Sequence, residues 1–109
     1  MRSYETVVIW APSLSESEQE TENGRVVEII RGSGSEYKGI DAWGRRQLAY
    51  PIKKQTEGIY TFFRWDGASQ TIDALDKMLR INERSLRHLT LKTGDEGPSA
   101  SFGEEEEEE

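Results

Sequence analysis

The 109-residue chain has no cysteine, one histidine and three prolines, and only 34% of its residues are apolar. Without thiols there is no disulfide stapling, no thiolate nucleophile and no zinc site built on sulfur. His88 is left as the one imidazole that could serve as a general base, and a structural or surface role is the commoner one for such a residue. No apolar run approaches the ~18 residues that a membrane-spanning helix requires. The start, Met1-Arg2-Ser3-Tyr4-Glu5, turns strand-like at once and lacks the layout of a signal peptide. The expectation is a soluble cytosolic protein.

Positive charge is also short overall, with a formal net charge of −7, but the deficit is local. Residues 1–93 hold all 14 Lys+Arg and 13 of the 21 Asp+Glu, so this part sits near +1. The other eight acids are Asp95, Glu96 and the run Glu104 to Glu109. Two regions follow: a globular domain over 1–93 and an acidic C-terminal tail over 94–109, expected to be disordered because its glutamates repel one another. An acidic total would argue against nucleic acid; a nearly neutral domain does not. The glutamate run has no EF-hand or octahedral spacing, so no metal is expected.

The domain reads as six elements. Tyr4 to Trp10 is a strand rich in β-branched and aromatic residues, apolar on both parities. Leu14 to Arg31 is a helix opened by a Ser15–Glu18 capping box; its polar first half and Gly24 predict a frayed or solvent-bathed opening. Tyr37 to Lys54 is a long strand, and Gln55-Thr56-Glu57-Gly58 is the hairpin connection to a strand over Ile59 to Trp65. Asp66-Gly67 turns the chain into a second helix, capped by Ser69 and ended at Asn82 or Glu83, with Ile72, Leu75, Met78 and Leu79 at helical spacing. Leu86 to Lys92 is the last strand. This βαββαβ order predicts an α+β, ferredoxin-like fold: a four-stranded antiparallel sheet with two helices on one face and the other face open.

Catalytic furniture is sparse. Acyl-phosphate hydrolases share this plan, but they need a glycine- and arginine-built anion loop after the first strand; here the loop is Ala11-Pro12-Ser13-Leu14-Ser15. No enzyme and no small-molecule substrate or cofactor are expected. The aromatic residues of the sheet could stack on bases, as in RNA-recognition modules. The third strand, Gly58-Ile59-Tyr60-Thr61-Phe62-Phe63-Arg64, lacks that module's fingerprint, and core packing is the simpler role. Cations are the remaining signal: Arg45-Arg46 and Lys53-Lys54 lie on one strand, roughly 27 Å apart if it is straight at ~3.3 Å per residue. They could touch separate phosphates of an RNA, or one pair could serve RNA and the other a protein.

The block Gly44-Arg45-Arg46-Gln47-Leu48-Ala49-Tyr50-Pro51-Ile52-Lys53, with the opening Met1-Arg2-x-Tyr4-Glu5 and the order of elements, resembles the bacterial small-subunit ribosomal protein six family over about residues 1–93. The resemblance implies a non-enzymatic protein of the ribosome. It further implies binding to 16S ribosomal RNA together with ribosomal protein eighteen, a small basic partner, in the platform of the small subunit. On the matching motifs it assigns RNA or partner contact to Arg2, Arg45, Arg46, Tyr50, Lys53 and Lys54; Arg80 and Arg87 join them on charge and expected placement. Some relatives receive C-terminal glutamates from a ligase, and Glu104 to Glu109 resembles that extension already encoded. The alternative function is an interaction module of the same fold working off the ribosome.

Overall fold

A computed structural model of the protein describes residues 2–93; the expected acidic tail, 94–109, lies outside the described residues. The elements follow the expected order: β1 (Arg2–Trp10), α1 (Glu16–Gly32), β2 (Glu36–Ile52), β3 (Gln55–Gly67), α2 (Ser69–Arg80) and β4 (Ser85–Lys92). All strand pairs are antiparallel, in the sheet order β2-β3-β1-β4. The central pair, β1 and β3, carries apolar side chains on both faces. That is why β1 shows no clean alternation in sequence.

Two clusters result. On the helix side Tyr4, Val8 and Trp10 of β1 meet Phe63 and Trp65 of β3, with Val26 and Ile30 of α1 and Leu75 and Leu79 of α2 packed on them. Full burial of each such side chain is worth about 1.5–3 kcal/mol. Trp10 and Trp65 are fully buried, and neither indole N–H is stranded: Trp10 donates to Asn23 Oδ1 at 3.0 Å and Trp65 to Thr6 Oγ1 at 2.9 Å. On the opposite face Val7, Ile9, Tyr60, Phe62 and Leu86 form a second cluster, joined by Leu48 from β2. The face expected to be open therefore has a core of its own, and part of its cover comes from the β2–β3 hairpin.

Four local expectations are corrected. The hairpin turn is Lys53-Lys54, not residues 55–58: β3 already begins at Gln55, and the two lysines adopt positive φ of 50° and 68°. Positive φ at both central residues is the two-residue hairpin geometry that matches strand twist, and its usual Asn-Gly signal is missing here. Gly58 lies within β3, where an added Cβ would sit 2.3 Å from Ile9 Cγ2. Its role is close packing, not turning. The second helix ends at Arg80, with Ile81 as its C-cap, and its N-cap position is Ala68, which makes no side-chain cap; Ser69 is the first helical residue. Finally, the polar opening of α1 is regular and docked. The Ser15–Glu18 capping box is complete, and buried Glu22 accepts from Asn82 Nδ2 at 2.8 Å and from Arg84 Nη1 at 3.0 Å. Polar side chains hold this half of the helix where apolar periodicity would normally do so.

Candidate nucleic-acid and partner interface

The hairpin tip positions most of the expected cations. Between Gln47 and Ile52 the register slips: five steps along β2 are matched by two along β3, from Glu57 to Gln55. Extra residues in one strand bend it and increase its twist. A straight-strand separation for Arg45-Arg46 and Lys53-Lys54 therefore does not hold. Beyond the slip, β2 reaches the far side of the sheet. Tyr50 Oη accepts from Arg87 Nη1 of β4 at 2.7 Å, and Lys53 Nζ donates to the Ser85 carbonyl at 3.2 Å. Left-handed backbone at Lys53 and Lys54 sets this course.

Lys53, Arg80 and Arg87 thus line one shallow cavity, together with Ser85, His88, Leu79 and Leu86. Tyr50 is tied to its rim through Arg87, and exposed Lys54 neighbours Lys53 in the turn. Arg80, at the last turn of α2, donates from Nη2 to Asp76 Oδ2 at 2.7 Å. The same carboxylate meets His88 Nε2 at 2.6 Å through its other oxygen. These contacts hold the Asp76 carboxyl below its ordinary range, the His88 hydrogen bond foremost.

The other expected residues stand elsewhere. Arg45 reaches the Pro12 carbonyl in the β1–α1 loop. Arg46 lies over the Trp43 ring, 5.1 Å from its centroid, and Trp43 packs on Phe62 with centroids 4.6 Å apart. Arg2 opens β1 opposite Gly67, at the end of the strand remote from Trp10 and Ser85. It does not share the cavity.

The helix-free face adds an acidic element that sequence reading missed. Glu5 is buried, and its Oε1 has no hydrogen-bond partner. Burial raises its carboxyl above the ordinary value, Arg64 opposes that shift, and Asp41 adds to it. Beside this patch Trp43, packed on Phe62, remains more than a third exposed. Alternation along β1 could have placed Glu5 beside Val7 and Ile9, but the flanking tyrosine and threonine hid the parity. Ser85 and His88 were also missed as cavity residues. Their one signal was the antiparallel return from α2 to β4, which brings residue 88 back to residue 76.

Comparison with known proteins identifies the family. The sequence profile of the family described as "Ribosomal protein S6" matches residues 3–92. The small ribosomal subunit protein bS6 of Geotalea daltonii is 40% identical over 101 residues, covering 93% of this chain and 79% of that protein. The bS6 of Caldanaerobacter subterraneus is 37% identical over 95 residues, covering 87% of this chain and all of that protein. Among solved structures, the crystal structure of 30S ribosomal protein S6 from Thermotoga maritima superposes with a TM-score of 0.81 at 28% identity, over 99% of this chain and 98% of that one. Fold and relatives agree: the chain belongs to the ribosomal protein S6 family, non-enzymatic components of the bacterial small ribosomal subunit in the cytoplasm.

Proposed function

We propose that the protein binds 16S ribosomal RNA together with ribosomal protein eighteen, in the platform of the small subunit. The observation that carries the RNA half is the closure of the hairpin tip onto β4, which gathers Lys53, Arg80 and Arg87 around one cavity with Tyr50 at its rim. Cations on a stiff scaffold are what phosphate contacts need, since such contacts fix register and orientation on a nucleic acid. Arg45, Arg46 and Lys54 extend the positive surface along the same hairpin, and Arg2 contributes from the other end of the sheet.

Support for the partner half is the helix-free face. It combines exposed Trp43, packed on Phe62, with the acidic groups Glu5 and Asp41. A basic protein docked there would pair with exposed Asp41 and remove the apolar surface of Trp43 from water. It would also add the positive charge that a domain near neutrality lacks.

The test is titration of a central-domain fragment of 16S RNA with the protein alone, the partner alone and both. The expected result is tight binding by the pair, falling steeply with salt, by a slope of about 0.9 per duplex phosphate neutralised. Lys53→Gln with Arg87→Gln should lower both affinity and slope. Equal affinity and slope for the variant would remove these residues from the RNA site. Equal binding by the partner alone would remove this protein from the recognition step.

A further inference from the structure

The cavity beside β4 has a feature that simple electrostatic attraction does not use. Its volume is about 230 Å³; its polar wall is Lys53, Arg80, Ser85, Arg87 and His88, and no carboxylate lines it. Behind the wall stands Asp76, engaged from two sides, by Arg80 at 2.7 Å and by His88 at 2.6 Å. Arg80 always carries its charge, whereas imidazole is the side chain whose ordinary titration falls between about pH 5 and 8. One carboxylate is therefore shared between a fixed cation and a switchable one.

We propose that this cavity seats a single phosphodiester group of RNA, and that His88, acting through Asp76, sets how strongly it is held. The proposal rests on the RNA-binding reading above and assigns that site a defined seat and a regulator. With His88 neutral, its Nε2–H donates to Asp76, and the charge of Asp76 is offset by Arg80 alone. Arg80 then presents little net charge to the cavity. Once His88 is protonated, the imidazolium and Asp76 compensate one another. The Arg80 guanidinium is left uncompensated, with its remaining N–H donors available to a phosphate. The net charge at the seat rises by one.

Among the described residues around His88, Asp76 of α2 favours the imidazolium, while Arg80 of the same helix and Lys53 of the hairpin oppose it. Arg87 lines the cavity from the other face of β4, and the β1 partner of His88 is the apolar Val8. A phosphate in the seat offsets those cations and so favours the protonated ring. Contact with His88 and Arg80 holds the Asp76 carboxyl below its ordinary range, so Asp76 is the anion the two side chains share. The Ser85 carbonyl accepts from Lys53 and so fixes that cation at the cavity wall.

The experiment is NMR of the full chain, following the arginine Nε–H and histidine ring signals during titration with sulfate and, separately, with a short RNA hairpin from the central domain, at pH 8 and pH 5.5. The expected result is that both ligands shift Arg80, Arg87 and His88 together, with affinity about fivefold higher at pH 5.5; that is the effect of one unit charge about 4 Å away in water. His88→Gln should flatten this pH response. Asp76→Asn, which removes the shared charge and leaves Arg80 uncompensated whatever the state of His88, should raise affinity at pH 8 toward the acid value. RNA binding that leaves these signals unmoved, or an undiminished pH response in His88→Gln, overturns the proposal while leaving the RNA-binding reading intact. A response to sulfate without one to RNA overturns the assignment to RNA and makes the seat one for a free anion. Absence of RNA binding at both pH values, with the basic partner added as well as without it, removes the RNA-binding reading itself.

Discussion

Replacing Lys54 with glycine should make the protein more stable and a poorer RNA binder at once. Lys54 sits at φ 68° in the hairpin turn, a left-handed conformation that costs a residue with a Cβ about 1–2 kcal/mol. Glycine removes that penalty, but loses roughly 0.5–1 kcal/mol through the extra freedom of its unfolded chain. The net expectation is about 0.5–1 kcal/mol of stabilisation, or roughly 3–6 °C in Tm for a domain of this size. Urea unfolding followed by tryptophan fluorescence measures it, with an unchanged m-value as the check that the unfolded state is not altered. The same variant lacks one cation next to the cavity. Its salt slope on the RNA fragment, with the partner present, should fall by about 0.9. Lys54→Gln separates the two effects, since glutamine removes the charge while keeping the Cβ and its left-handed penalty. A destabilised Lys54→Gly would refute the turn geometry, and an unchanged slope would remove Lys54 from the phosphate contacts.

Three further outcomes follow from single contacts. Arg84→Met leaves the buried Glu22 carboxylate, whose side chain is 3% exposed, with Asn82 alone; unfolding experiments should show a loss of about 2–3 kcal/mol, toward the low end for a broken buried pair because Arg84 is half-exposed, and a loss under about 0.5 kcal/mol would mean the network does not hold α1. Gly58→Ala places a Cβ 2.3 Å from Ile9 Cγ2 between two central strands, so a loss of about 2–3 kcal/mol is expected from overpacking; a neutral result would show that the hairpin does not close so tightly on β1. Glu5→Gln addresses pH: the Glu5 carboxyl is raised in the fold chiefly by burial, so the folded state binds this proton more tightly, and stability falls as pH rises from the unfolded value through the folded one. The variant should therefore be more stable than the parent at pH 7 and equal to it well below pH 4; thermal unfolding across that range would expose the opposite trend.

Element order and the apolar faces were legible because periodicity reports burial directly. Ile72, Leu75 and Leu79 announce one side of α2, and Ser15 with Glu18 announces the start of α1. Local rules failed where tertiary contacts decide. The lysine turn breaks the residue preferences of its own geometry, so Gln55-Thr56-Glu57-Gly58 looked the better connection. The polar half of α1 looked frayed because Glu22 and Asn23 find their partners in Asn82, Arg84 and Trp10, none of which is close in sequence. The same limit applied to the site. The residues of the 44–53 block were evident, but that Lys53 meets Ser85 and that Tyr50 meets Arg87 depends on a slip in strand register. His88 and Asp76 are 12 positions apart and belong to different elements, a pairing that only the fold creates.

The most direct measurement is a density map, at side-chain resolution, of the small ribosomal subunit carrying this protein. The account predicts an RNA phosphate within hydrogen-bond distance of Lys53, Arg80 or Arg87 beside β4, and a basic protein against Asp41 and Trp43 on the helix-free face. Solvent around those three cations, with RNA held by another surface of the chain, would contradict it.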